Sequence, residues 1–277
     1  MKADCIRTYV FSPTGTTRRT VDAITRGAAA AACPIRNFDL THAAVPVGIL
    51  PENEVALFAV PVYGGHVPPL ALERLREIRG HATPAIVVAV YGNRAFEKAV
   101  AELAAFVEER GFIPVAAGAF VGEHSYSSER TPIAAGRPDA GDLAAAEAFG
   151  RAVRQKLETK GILPVEASRL KTPATPLLPL LRFLLFAIGY LMRQKKHPTV
   201  SFPEGDAARC IHCGRCVALC PAEAITRGDE EHTDPQRCIR CCACVKGCPV
   251  GARHFETPFA AALSRNFMRR KPPVTLL

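Results

Sequence analysis

Tryptophan is absent from these 277 residues, and aromatic side chains make up only 7% of them. The chain is nonetheless 48% hydrophobic, so a sizeable core can be built from mainly aliphatic side chains, and the length allows one to three domains. Two glycine-rich nucleotide signatures are missing: neither G-x4-G-K-S/T nor G-x-G-x-x-G occurs anywhere. That leaves no P-loop and no glycine-rich dinucleotide-binding turn, so no NAD(P) site is seen and direct pyridine-nucleotide oxidation is not expected. Long basic tracts are lacking, apart from short runs at Arg193–Lys196 and Arg269–Lys271. The formal net charge of +9 is uneven: residues 1–165 carry 18 basic and 17 acidic side chains, 166–208 carry 6 and 3, and 209–277 carry 11 and 6. A secretory signal is not visible either, because the opening MKADCIRTYVF carries Asp4 and no uninterrupted apolar stretch before a small-residue cleavage site. The eleven cysteines are therefore expected to be reduced thiols in the cytoplasm.

What is present begins with an alternation of apolar runs and alanine-rich stretches. Strands are expected at Ile6–Phe11, Ile35–Phe38, Val55–Val60, Ala85–Tyr91 and Ile113–Phe120, and helices at Thr17–Ala32, Pro69–Arg79, Ala95–Arg110 and Asp142–Lys160. Five strands with helices between them describe an α/β, doubly wound parallel sheet, in which ligands bind outside the carboxyl ends of the strands. The polar stretch Val121–Gly141 is long for a connection in such a domain. His124, Ser125, Tyr126 and Arg137 within it are candidates to touch a ligand or a second domain, or else belong to a solvated loop.

A proline-rich joint follows, with Pro164, Pro173, Pro176 and Pro179, and leads into LLPLLRFLLFAIGYLM at 177–192. Its length approaches a membrane span. Counted from Pro173 to Met192, however, Pro176 and Pro179 break the first half of the stretch, and Arg182 at its centre would cost about 2.5–3.5 kcal/mol in a bilayer. Two readings stand: a helix buried against a domain or partner, or peripheral membrane contact through 177–192.

Nine of the eleven cysteines fall between Cys210 and Cys248, in two runs, CIHCGRCVALCP and CIRCCACVKGCP. Both fit C-x2-C-x2-C-x3-C-P, the spacing of bacterial ferredoxins, in which the fourth cysteine ligates the other cluster. Zinc sites show two C-x2–4-C pairs separated by a longer loop instead. Cys210, Cys213, Cys216 and Cys248 are thus expected to hold one 4Fe–4S cluster, and Cys238, Cys241, Cys244 and Cys220 the other. Gly214 gives the first run room to turn, and Pro221 and Pro249 end each run. Cys242 falls outside the x2, x2 register and is expected to be a small packed residue, as are Cys5 and Cys33. Eight thiolates around two oxidised cubanes bring about four negative charges, so the C-terminal basic excess reads as their counter-field, and no nucleic acid is expected as a partner.

After the first strand stands Phe11-Ser12-Pro13-Thr14-Gly15-Thr16-Thr17-Arg18-Arg19. Hydroxyls and backbone N–H groups at a helix N-terminus cradle a phosphate, although a plain capped turn would look similar. Ser12-Pro13-Thr14-Gly15-Thr16-Thr17 matches S/T-x-T-G-x-T and resembles the phosphate loop of flavodoxins. VPVYGGHVP (60–68) and YGNRAF (91–96) follow two further strands. In flavodoxin-like proteins these positions flank the isoalloxazine ring. The resemblance places Pro61, Tyr63, Gly64 and Gly65 on one side of a flavin, and Tyr91, Gly92 and Asn93 on the other. Flavodoxins often place a tryptophan here and an acidic third loop; this chain has neither.

Taken together, the chain resembles bacterial flavodoxin–ferredoxin fusion proteins. The resemblance implies a flavodoxin-like FMN-binding domain at 1–162, the apolar joint at 163–202, a small α+β dicluster ferredoxin domain at 203–257 and a basic tail at 258–277. It also implies FMN, two 4Fe–4S clusters and electron transfer with redox partner proteins. The alternative is a flavoenzyme that reduces a small organic acceptor with electrons fed through the clusters, with the 121–141 loop as its best support.

Overall fold

The computed structural model describes residues 1, 3–31, 33–196 and 201–277. They form two units: Met1–Glu123, Gly136–Pro173 and Lys271–Leu277 make the first, His124–Ala135 and Ala174–Arg270 the second.

In the first unit the elements are β1 (Cys5–Val10), α1 (Thr16–Ala28), β2 (Ile35–Asp39), β3 (Gly48–Leu50), β4 (Glu54–Pro61), α2 (Pro69–Leu75), β5 (Ile78–Gly80), β6 (Thr83–Tyr91), α3 (Ala99–Glu108), β7 (Phe112–Val121) and α4 (Ala140–Lys160). The second unit contributes α5 (Leu177–Lys196), β8 (Glu204–Gly205), α6 (Arg215–Leu219), α7 (Ala243–Lys246), β9 (Arg253–His254) and α8 (Pro258–Asn266). The chain then returns to the first unit with β10 (Val274–Leu276).

The main sheet runs β10-β7-β6-β4-β1-β2. Its first five strands in chain order, β1, β2, β4, β6 and β7, are parallel neighbours. Numbered among themselves, they stand in the order 2-1-3-4-5, which is flavodoxin-like. The residue pattern explains the placement. TPAIVVAVY is buried at all nine positions of β6, as a strand covered on both faces requires. IRNFD in β2 is mostly exposed, which suits an edge. A second, two-stranded parallel ladder joins β3 to β5.

Helices α1 and α4 meet at two glycines. A Cβ on Gly27 would lie 2.0 Å from the Glu147 carbonyl oxygen, and one on Gly150 would lie 2.0 Å from that of Ile24. The two backbones are therefore in direct contact, and neither position admits a side chain. A capping box between Asp139 and Asp142 starts α4.

Several boundaries differ from the sequence reading. The helix expected over Pro69–Arg79 stops at Leu75, because Ile78–Gly80 is drawn into the ladder with Gly48–Leu50. The helix expected from Ala95 begins at Ala99. The helix expected over Thr17–Ala32 runs from Thr16 to Ala28, and Ala32 lies outside the described residues. Of the two extra cysteines, Cys5 is buried and Cys33 half-buried. The expected division at 162, 202 and 257 also differs from the two units found. His124–Ala135 belongs to the second unit, and the basic tail expected at 258–277 contains α8 and then β10, paired antiparallel to β7. A three-residue strand leaves almost no periodic trace, and only its neighbour's open edge makes it one.

The second unit has an aromatic seam. Phe183 of α5 meets Phe267 at 5.0 Å, while Phe186 and Tyr190 meet Phe259 at 5.2 and 4.8 Å. Ile133 and Leu263 join this cluster. The segment His124–Ala135 is held here too: Ser264 Oγ donates to the Pro132 carbonyl at 2.8 Å, Lys246 Nζ donates to that of Ser127 at 2.7 Å, and the Tyr126 ring stands 5.0 Å from Phe255.

Replacing Gly150 by Ala should lower stability despite alanine's better helix propensity, because α1 must move away from α4. The expected loss is about 1–3 kcal/mol, read as an earlier denaturant midpoint at unchanged slope.

Candidate functional site

The two cysteine runs fold alike. In the first, Gly214 is the left-handed cap of α6 at φ 69°. In the second, Cys242 occupies the equivalent place, capping α7 at φ 57°. Cys242 is thus the turning residue of the second loop, buried to 2% exposure, which accounts for the extra cysteine in that run.

The sulfurs collect in two sets. Cys210, Cys213, Cys216 and Cys248 line one cavity, together with Pro249 and Arg253. Cys220, Cys238, Cys241 and Cys244 line the other, with Cys242 beside them. Each set draws one cysteine from the opposite run, so the two runs can only be built together. Backbone amides reach three of the sulfurs: Ala224 N donates to Cys220 at 3.2 Å, Arg240 N to Cys238 at 3.4 Å and Ala252 N to Cys248 at 3.2 Å. Burial raises the Cys248 thiol, but the amides around Arg253, Val250, Ala252 and Gly251 outweigh it and bring the group below its ordinary value. Cys241, by contrast, is pushed up to about 12 by burial, so it needs a metal to be held as a thiolate. The donor set is all sulfur, in two groups of four, which fits two iron–sulfur cubanes.

Arg253 was not apparent from the sequence. It is buried to 4% exposure and donates to the carbonyls of Glu230 (2.7 Å), Glu231 (3.1 Å) and Pro203 (2.8 Å). Its Nη2 also lies 3.8 Å from Cys244 Sγ. It lines the first sulfur cavity while touching a ligand of the second, so a single buried cation serves both. Only its position four residues after the Cys-Pro of the second run could have flagged it.

In the first unit, the hydroxyl loop ends on α1 with Gly15 as a left-handed cap and no side-chain cap. Its first turn has no acidic residue and carries Arg18 and Arg19, the reverse of what the helix dipole favours in the absence of an anion. Ser12 Oγ accepts from Arg18 N at 3.0 Å, and the Ser12 amide is held by Thr41 Oγ1 at 2.9 Å. The N–H groups of Thr16 and Thr17 have no acceptor within the helix, as for any first turn. Ser12, Thr14, Gly15 and Thr16 are all partly accessible, whereas Thr17 is buried. Such a cradle suits a phosphate.

The neighbouring loops are held alongside. Val62 N donates to Val90 O at 2.9 Å and Gly122 N to Tyr91 O at 3.0 Å. A Cβ on Gly122 would sit 3.1 Å from Thr16 Cβ, so the loop after β7 abuts the hydroxyl loop. Pro61 ends β4, and Tyr63 and His66 exchange backbone hydrogen bonds across Gly64 and Gly65, at φ 62° and 91°. This is a tight turn of the kind only glycine enters freely. Glu102 ties the turn to α3, accepting from Val67 N at 3.1 Å and meeting His66 Nδ1 at 2.6 Å.

The third loop departs from the expectation. The Tyr91 ring is 2% exposed, edge-on to Phe96 at 5.5 Å, with its hydroxyl buried without a hydrogen-bond partner and pushed up to about 12 by that burial. Asn93 is buried as well, at φ 64°, and its Oδ1 accepts from Lys271 N at 3.2 Å. Both side chains are therefore interior, because β6 is covered on both faces up to its last residue. Of the three, Gly92 is the one partly accessible. Arg137, another candidate, is an interior residue that pairs with Asp142 through Nη2–Oδ1 at 2.6 Å and Nε–Oδ2 at 2.7 Å. His124 Nδ1 accepts from Tyr126 N at 3.0 Å.

A family model described as a 4Fe-4S dicluster domain matches residues 209–255. Those residues therefore form a dicluster domain that holds two 4Fe–4S clusters. Solved structures similar to the chain include a flavodoxin from the domain Archaea, at 14% identity and TM-score 0.37, covering 57% of this chain and 99% of that one. Another is the flavodoxin of Megasphaera elsdenii, at 12% identity and TM-score 0.37, covering 55% and 98%. A third is the Flv1 flavodiiron core from Synechocystis sp., at 16% identity and TM-score 0.40, where the match spans 57% of this chain but only 37% of the other. No curated protein matches. The flavodoxin-like assignment rests on the strand order itself.

Cys220→Ser and Cys248→Ser should each cost one cluster, from opposite runs, whereas Cys242→Gly should keep both; iron content and the low-temperature EPR of the reduced protein read the difference. Arg253→Met should lower the midpoint potential of at least one cluster by some tens of millivolts or more, because a buried positive charge favours the reduced, more negative cubane. Arg253→Lys should restore most of the shift, and a redox titration without change would sink the assignment.

Proposed function

We propose that the first unit binds FMN and that the chain is an electron carrier, passing electrons between the flavin and its two clusters to or from redox partner proteins. The observation that carries this reading is the acid-free first turn of α1, entered through Gly15 in FSPTGTTRR, on a sheet in 2-1-3-4-5 order, in a chain that also has a dicluster domain. In this reading Ser12, Thr14, Thr16, Thr17 and the amides beside them hold the phosphate of FMN. The Tyr63–His66 turn offers backbone N–H groups and one aromatic ring to the flavin, with Gly92 opposite.

Flavin exchanges electrons singly or in pairs, whereas each cubane passes one at a time. The chain's own residues set the terms of that exchange. Arg18, Arg19 and the α1 terminus neutralise the phosphate, Glu102 holds the ring-side turn, and Arg253 and the amides facing Cys220, Cys238 and Cys248 tune the clusters. A flavoenzyme would draw on the 121–141 loop to bind its acceptor. Its residues His124, Tyr126 and Ile133 are engaged in packing within the second unit, and Arg137 is bound to Asp142, which favours the carrier.

Protein purified without oxygen should contain one FMN and about eight iron atoms per chain. A Thr14→Ala, Thr16→Ala double variant should bind FMN roughly tenfold to a hundredfold more weakly, since hydrogen bonds to a charged group are lost. Its affinity for riboflavin, which lacks the phosphate, should stay the same. Equal losses for both ligands, or iron without flavin even after FMN is added, would refute the site.

A further inference from the structure

Helix α5 has two apolar faces. Its 20 residues make a rod of about 30 Å. Phe183, Phe186 and Tyr190 lie along one side and pack on Phe259 and Phe267. The other side carries Leu181, Leu184, Leu185, Ile188, Leu191 and Met192, all at least 47% exposed, and Phe183 is the only buried residue of the helix. At 100° per residue these six fall within a stripe of about 120° opposite the aromatic seam. Adjacent to the stripe, Arg182, Arg193 and Lys196 line one edge and Lys195 stands at its end. No acidic residue occurs anywhere in Leu177–Lys196.

We propose that this face of α5 docks the protein on an anionic membrane surface, lying in the plane of the interface. An apolar stripe flanked by cations without a balancing acid matches the acyl boundary below and the acidic headgroups beside it. The same charges disfavour pairing with a second copy, which would set cation rows against each other. Spanning is disfavoured by Arg182 inside the apolar stretch and by the aromatic side, whose packing on Phe259 and Phe267 would have to be abandoned.

The full-length, cluster-loaded protein should co-sediment with phosphatidylcholine vesicles containing a third phosphatidylglycerol, and bind pure phosphatidylcholine far less. Added salt should weaken the binding, and alkaline carbonate should release it. Leu185→Gln with Leu191→Gln should lower vesicle affinity by roughly tenfold or more, because two leucines no longer leave water. Arg193→Glu with Lys196→Glu should abolish the preference for anionic lipid. Unchanged iron content in both variants shows that the fold is retained. The proposal fails if neither vesicle binds, or if the leucine variant binds as well as the parent. It also fails if carbonate leaves the protein embedded. Light scattering that shows a dimer dispersed by the leucine substitutions would assign the face to a second copy instead.

Discussion

Backbone pairing at the carboxyl ends of the parallel strands is the constraint on which the first unit's binding capacity depends. Parallel strands in 2-1-3-4-5 order leave their carboxyl ends along one edge, and the hydrogen bonds from Val62 to Val90 and from Gly122 to Tyr91 hold the loops there in register. The hydroxyl loop, the Tyr63–His66 turn and Gly92 stand together because of that register, with no contribution from their own sequences beyond the turns they make. The electrostatics follow: α1 begins with two arginines and no acid in its first turn, an end at which the helix dipole favours a negative charge.

The second unit depends on an exchange. Each sulfur set takes its fourth cysteine from the other run, which forces the two loops to close around one another and shares Arg253 between them. Amide donors to the sulfurs and the buried Arg253 guanidinium supply a positive field around them. Of the eleven basic side chains in residues 209–277, Arg253 is the one placed against a cluster sulfur by a hydrogen bond among the described residues.

The chain does not honour a simple order of two consecutive domains. His124–Ala135 leaves the first unit after β7 and packs with α8 and α7 residues, and Lys271–Leu277 returns to pair with β7. Both excursions have a physical cause that local pattern does not carry. Ile133 packs in the aromatic seam with Phe183, Leu263 and Phe267, and β10 is too short to hold as a strand without the open edge of β7. Tyr91 and Asn93 illustrate the same limit at the site. Their positions after an apolar run suggested a ligand-facing loop, yet burial on both faces of β6 turns the ring inward, and the return of Lys271 occupies the amide.

The cysteine spacing by itself determined the cluster type and the two sulfur sets, because three ligands two residues apart leave little choice of geometry. The apolar runs likewise determined the parallel sheet, since they are local patterns of strand length separated by helical stretches, and the S/T-x-T-G-x-T loop fell at the carboxyl end of its first strand. Tertiary structure alone decided that Cys242 is a turning residue, that Arg253 reaches both sulfur sets, that Tyr91 and Arg137 are interior, and that the leucine side of α5 faces outward. Each of those depends on which distant segment arrives to cover a side chain, and that is a property of packing rather than of any stretch of sequence.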